Sequence, residues 1–325
     1  MGISLVKFSD TEESLAKWGV LEGEQVFEIE LYAADHRGAM RAYYGQEDGS
    51  FSKGEKYHRA DEVYYHSPVS RDVQLCCQGL NYADHREESG QSSNGDEEQN
   101  LVFMKAASSI CGANDSIVRP KDVRLLDYEV ELGIALKRDL PADTTVAETD
   151  LADYIGGWFL CNDVSARDVM FGAPMLQWFK GKSLRTFCPL GPVFFLPDAD
   201  DFQRFYDLEL KLWLNGELKQ SASTTQLIHK PAPTLTELST FMDLNEGDCV
   251  LTGTPGGVLA GTSLKVAMSV ILNFSNDEKR RLKFTEAQLA RTDFLVPGDV
   301  LELEISTADR AIDLGRQKNV VIERE

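Results

Sequence analysis

Residues 127–136, Asp127-Tyr128-Glu129-Val130-Glu131-Leu132-Gly133-Ile134-Ala135-Leu136, alternate with a period of two. A period of two belongs to a β-strand, whose successive side chains point to opposite faces. Val130, Leu132, Ile134 and Leu136 then share one face, and Glu129 and Glu131 share the other with Gly133 and Ala135. Two such glutamates stand about 6.6 Å apart at Cα, close enough for their carboxylates to converge on one cation. The small residues beside them leave room on that face. A third carboxylate, Asp163, ends the apolar run Gly156–Asn162. Three oxygen donors with no His or Cys nearby suit a hard cation, Mg²⁺ or Mn²⁺. The same residues also fit a plainer pattern. Glu-x-Glu often marks a solvated strand face, and Asp163 could cap a helix starting near Ser165.

The rest of the chain extends the β reading. Leu208, Leu210, Leu212 and Leu214 alternate with other residues and lead into Asn215-Gly216, a hairpin signal. Strands are expected near 4–8, 25–29, 62–66, 249–251, 269–274 and 299–305. Helical patterns are few: Ser165 to about Gly172, a segment before Phe241, and Thr285–Ala290. Ser67-Pro68-Val69-Ser70 reads as a junction. It divides a small N-terminal α/β domain, 1–70, from a catalytic domain, 71–325. The larger part is expected to be mainly β with short helices, a sandwich or roll rather than βαβ units.

Composition narrows the function. The 325 residues are 42% hydrophobic and 26% charged, with a formal charge of −20, and no basic stripe offsets it. That argues against nucleic acid or an anionic membrane as partner. A small anionic substrate would need a local positive site, which a divalent cation supplies. No run of about 20 apolar residues and no signal-peptide pattern occurs. The six cysteines form no C-x-x-C pair and read as reduced, mostly buried thiols, so a cytoplasmic location is expected.

Gly181-Lys182-Ser183 looks like the end of a phosphate loop, but Leu176 stands where that motif requires glycine. Lys182 is either an oxyanion donor or a surface lysine. His85 and Glu88, three apart on a helical turn, suit a carboxylate-oriented general base, or a surface pair. Residues 87–100, rich in Ser, Gly and acidic residues, read as a surface loop or as a lid that orders over ligand. Leu251–Gly257 follows an apolar strand and is either a tight turn or a loop aimed at a carboxylate.

Together and in this order, Gln78–His85, Leu126–Leu132, Asn162–Asp168, Gly181–Ser183, Pro189–Pro192 and Leu251–Gly257 give the chain its resemblance to the fumarylacetoacetate hydrolase family. The resemblance covers about residues 73 to 305. It implies the family's β-sandwich-like roll, a homodimer, and Mg²⁺ or Mn²⁺ held by Glu129, Glu131 and Asp163. It implies His85 and Glu88 as the water-activating dyad, and Lys182 and Arg167 facing substrate oxygens. Thr254 is implied at the substrate carboxylate, with Tyr82 also at the substrate. Met170 stands where relatives commonly have glutamine. The reaction implied is hydrolysis of a C–C bond in a β-diketo acid, an acylpyruvate or fumarylpyruvate-like compound of aromatic catabolism, through a metal-bound pyruvate enolate. The alternatives are decarboxylation of a 2-oxo acid or isomerisation or hydration of a 2-hydroxy-dienedioate. A non-catalytic metabolite-binding protein is the remaining possibility, and it should lack a ligand or the base.

Overall fold

The computed structural model describes all residues except 1, 47, 48, 50, 89–98, 173, 174, 262–267, 269–271, 273–275 and 325. In chain order the N-terminal part contributes β1 (Ile3–Ser9), β2 (Lys17–Glu22), β3 (Gln25–Ile29), α1 (His36–Tyr44), β4 (Lys53–Arg59) and β5 (Tyr64–His66). Next come β6 (Leu75–Gly79), α2 (Ala83–Glu88), β7 (Leu101–Lys105), β8 (Ile110–Gly112), β9 (Ile117–Arg119), β10 (Leu126–Asp127), β11 (Val130–Leu136), α3 (Leu151–Tyr154), β12 (Ile155–Asn162) and β13 (Ser165–Ala166). Then follow α4 (Arg167–Phe171), α5 (Trp178–Lys182), β14 (Cys188–Leu196), β15 (Leu208–Leu214), β16 (Glu217–Ser223), α6 (Pro231–Ser239), β17 (Cys249–Leu251), α7 (Asp277–Leu289), β18 (Val300–Thr307) and β19 (Asp313–Glu323).

Among the described residues one large sheet runs β4-β3-β2-β1-β14-β12-β11-β17-β6-β7, with β5 and β8 attached at its side. Its first strands come from the N-terminal part, and β1 pairs antiparallel with β14, Leu5 opposite Phe194. A second sheet, β16-β15-β18-β19-β9, packs across it, and one apolar cluster containing Leu132, Trp158, Leu210 and Leu303 spans both. This is the mainly β roll that the strand periods predict.

The expected hairpin forms with Leu214 opposite Glu217, and Asn215 and Gly216 turn at φ 51° and 82°. Positive φ at both positions is what Asn-Gly accommodates. The C-terminal helix is longer than expected because Asn276 caps it, accepting from the Lys279 N–H at 2.8 Å, so that it starts well before Thr285. The helix expected from Ser165 starts at Arg167, since Ser165 and Ala166 pair with Asp127 and Leu126. The strand expected over 269–274 lies, apart from Leu272, outside the described residues, as do residues 89–98 of the expected lid.

The strand expected unbroken over 127–136 is interrupted at Tyr128-Glu129. Side chains take the backbone donors that a ladder would use. Asp127 Oδ1 accepts from the Tyr128 N–H at 2.9 Å, Asn162 Oδ1 from Glu129 at 3.0 Å, and Gln220 Oε1 from Val130 at 2.9 Å. The small residues beyond the glutamates make room for protein rather than ligand. A Cβ on Gly133 would lie 2.1 Å from the Phe159 ring. Gly133→Ala should therefore lower stability by about 1–3 kcal/mol, the usual cost of overpacking a core. An unchanged denaturation midpoint would show that Phe159 can move aside.

Candidate active site

The carboxylate cluster sits where β11 and β12 end side by side. Asp163 follows β12, and its N–H bonds the Glu129 carbonyl at 2.8 Å, which ties the two acidic segments together. Glu129, Glu131 and Asp163 are all buried and bring one carboxylate oxygen each within 4.8 Å of one another. Burial excludes the solvated-face reading. Asp163 does not cap the helix either, since its side chain receives Lys105 Nζ on Oδ1 and Lys182 Nζ on Oδ2, each at 2.5 Å.

Lys182 also donates to Glu129 Oε2 at 2.8 Å, and Arg167 Nη2 donates to Glu129 Oε1 at 2.5 Å. Arg167 Nε holds Asp127 at 2.8 Å. Lys182 and Arg167, expected to face substrate oxygens, are thus bound to the acidic residues. Lys105 and Asp127 belong to this cluster and were not singled out by the sequence. The available signal for Lys105 is a lone lysine closing the apolar strand Leu101–Lys105.

The electrostatics follow from this wiring. Burial works against ionising Glu129, but Lys182 and Arg167 outweigh it and hold its carboxyl down at about 2. Burial, then the charges of Asp163 and Glu129, push the Glu131 carboxyl well above its usual range. Burial works against charging Lys182, yet Asp163 and Glu129 raise its pKa. Glu131 Oε2 accepts from the Gly253 N–H at 2.9 Å, while Oε1 is buried with no partner among the described residues. An orphaned carboxylate oxygen in a cluster of hard oxygen donors fits a divalent cation. Four carboxylates face three side-chain cations here, so the site retains a negative excess when all four are ionised.

A pH dependence follows. Glu131 holds a proton further toward neutrality than an ordinary glutamate, and a cation must displace it. Cation affinity should rise with pH, and binding should release protons. Calorimetry in buffers of different ionisation enthalpy would detect the release; a buffer-independent heat would contradict it. Glu129 works in the opposite sense on folding. Its lowered pKa contributes stability above about pH 4.5 that is lost as pH falls toward 2.

His85 and Glu88 lie on α2, His85 buried and Glu88 half-exposed. His85 Nδ1 is 3.8 Å from Glu88 Oε2, an ion-pair separation rather than a hydrogen bond. The imidazole, with help from the Gly257 N–H and against a cost of burial, draws the Glu88 carboxyl below its usual range. Both Glu88 oxygens accept from that N–H at 3.0 Å. The loop after β17 is therefore fastened to the helix carrying His85. Gly256 belongs to the same contact, since a Cβ there would meet Glu88 Oε1 at 3.0 Å. After Lys182 and Arg167, the charge of His85 also helps to lower the Glu129 carboxyl.

Thr254 Oγ1 accepts from Gln220 Nε2 at 2.9 Å, which leaves its own O–H to donate elsewhere. Gln220 thus links the Val130 N–H to Thr254, a role across the sheets with no local sequence signal. Tyr82 is fully buried, its hydroxyl has no partner among the described residues, and burial followed by Glu131 keeps it protonated. Met170 is buried against α5, where a Cβ on Gly181 would lie 2.2 Å from its Cγ.

The β roll thus encloses three buried carboxylates that could hold a cation. The model for the fumarylacetoacetate (FAA) hydrolase C-terminal region matches residues 74–322, and the chain belongs to the fumarylacetoacetate hydrolase family. It is 37% identical over 197 residues to oxaloacetate tautomerase FAHD2B, mitochondrial, of Bos taurus, covering 61% of this chain and 60% of that protein. It is 36% identical over 192 residues to the fumarylacetoacetate hydrolase domain-containing protein 2 homolog of Dictyostelium discoideum, covering 57% and 60%. The matches thus span about 60% of the length of these curated relatives. Fumarylacetoacetate hydrolase from Exiguobacterium antarcticum superposes with a TM-score of 0.73 at 28% identity over 99% of this chain and 100% of that one. Maleylpyruvate hydrolase from Sphingobium sp. SYK-6 shares the fold, with a TM-score of 0.68 at 22% identity over 99% and 100%. Among the described residues no helix is long and apolar enough to cross a membrane.

Proposed function

We propose that this chain moves a proton at the carbon next to the carbonyl of a small anionic 2-oxo acid, interconverting keto and enol forms of an oxaloacetate-like dicarboxylate. The observation that carries this reading is a buried histidine beside a carboxylate cluster whose cationic side chains are already engaged. Glu129, Glu131 and Asp163 would hold Mg²⁺ or Mn²⁺. When bound, such a cation withdraws charge from a carbonyl oxygen and acidifies the adjacent C–H. His85 removes the proton from one position and returns it to the other, and Glu88 stabilises the imidazolium in between. The Thr254 hydroxyl is free to donate to a substrate carboxylate, and the Tyr82 hydroxyl offers a second donor. Two relatives similar to this chain are named oxaloacetate tautomerases, which supports the same reading.

C–C hydrolysis of an acylpyruvate is the second reading, favoured by the His85–Glu88 pair, which would activate water equally well. It asks more of the site. The ammonium of Lys182, its expected oxyanion donor, bonds Glu129 and Asp163, and apolar Met170 stands where an amide would hold water.

The test is a parallel assay with Mg²⁺. Loss of the enol absorbance of oxaloacetate should be accelerated well above the buffer rate, with slower cleavage of acylpyruvates. Cleavage of an acylpyruvate without effect on oxaloacetate would establish the second reading. Inactivity on both, with ligand binding retained, would leave a metabolite-binding protein.

A further inference from the structure

The loop of residues 252–261, which follows β17, is shaped by carboxylates. The N–H groups of Gly253, Gly257, Leu259 and Ala260 go to the side chains of Glu131, Glu88 and Asp127. Two of these carboxylates already have a task. Glu131 is a cation ligand in the proposed function, and Glu88 stands 3.8 Å from His85. Asp127 has neither role. It is fully buried, and it is not among the three carboxylates that converge for a cation. Its Oδ1 accepts from the N–H groups of Tyr128 and Leu259 at 2.9 Å each. Its Oδ2 accepts from Arg167 Nε at 2.8 Å and from the Ala260 N–H at 3.0 Å. Two donors on each oxygen fill a carboxylate and leave nothing for cation or substrate.

Tyr128 adds a second tie to the same loop. Its hydroxyl donates to the Gly257 carbonyl at 3.1 Å. Gly257 has φ 97°, and a Cβ there would lie 2.1 Å from the Lys219 carbonyl oxygen on β16. The loop is thus pinned between β16 and the two residues that precede Glu129. Thr254 lies between the points fixed at Gly253 and Gly257.

We infer that Asp127, with Tyr128, is a positioning residue. It fixes the loop so that the Thr254 hydroxyl stands beside the cation ligands and meets a substrate carboxylate, a role that rests on Thr254 being that donor.

Asp127→Asn and Tyr128→Phe test it, each alone and each combined with Thr254→Val, in the Mg²⁺-loaded protein. Hydrogen exchange across 252–261 reads the loop, and both variants should speed it. KM and kcat are read with oxaloacetate, or with an acylpyruvate if that is the compound turned over. An asparagine amide turns its NH₂ toward donors, so Asp127→Asn should raise KM about tenfold or more, the worth of a lost charged hydrogen bond. Tyr128→Phe removes one neutral bond, disturbs no charge and keeps the ring, so it should raise KM about threefold. Glu88 is carried by α2, so kcat should change less than KM. On the Thr254→Val background both KM increases should shrink to within about twofold, because the donor they place is gone. A merely structural loosening would keep its full effect there. Full additivity would overturn the inference, as would parent-like exchange of the loop in a folded Asp127→Asn. If Asp127→Asn does not fold, Tyr128→Phe gives the same decision. A parent KM in Thr254→Val alone would refute Thr254 as the carboxylate donor, and the exchange rates would then decide whether Asp127 holds the loop.

Discussion

Glu131→Ala is expected to leave a folded protein that no longer binds Mg²⁺ or Mn²⁺ and has no measurable turnover. Glu131 carries the one carboxylate oxygen of the cluster that is buried without a partner, while Glu129 and Asp163 are already neutralised by Lys105, Lys182 and Arg167. Removing Glu131 therefore takes away the donor a cation most needs. It also takes away a group whose burial is unfavourable to the fold, because the neighbouring Asp163 and Glu129 oppose its ionisation. Metal analysis after dialysis should show no bound cation, and thermal unfolding should show a midpoint no lower than that of the metal-free parent. Wild-type metal content in the variant would place the cation elsewhere.

His85→Ala should lower turnover by about 10²–10⁴-fold, the usual worth of a positioned base, and leave cation binding intact. His85 is buried on α2 beside the carboxylates and within ion-pair reach of Glu88. Glu88→Gln should have a smaller effect, since it removes the charge that steadies the imidazolium but keeps an acceptor for the Gly257 N–H. A His85→Ala variant as fast as the parent would remove the base from the account.

The sequence made visible what depends on neighbours along the chain. The two-residue period at Leu208–Leu214, the Asn215-Gly216 turn and the three-residue spacing of His85 and Glu88 are local patterns, and the structure keeps them. The three carboxylates were legible because their chemistry is unusual in an apolar setting. What escaped depends on contacts between distant segments. Lys105 reaches Asp163 from another strand, and Gln220 crosses from the second sheet to Val130 and Thr254. The break at Tyr128-Glu129 has in part the same origin, because the Glu129 and Val130 donors go to Asn162 and Gln220, far along the chain. Gly133 misled for a related reason: the space beside it belongs to Phe159, which no local pattern reveals. Glu129 and Asp163, the acidic partners that the fold places around Lys182, were likewise not legible from its Gly181-Lys182-Ser183 setting.

The choice between proton transfer and C–C hydrolysis turns on what His85 does to substrate. Proton NMR in D₂O, following the α-hydrogens of oxaloacetate with the Mg²⁺-loaded protein, reads that step directly. The account predicts enzyme-dependent deuterium incorporation well above the buffer rate, abolished by chelation and by His85→Ala, with the carbon skeleton intact. Exchange no faster than in buffer, with an acylpyruvate cleaved under the same conditions, would contradict it.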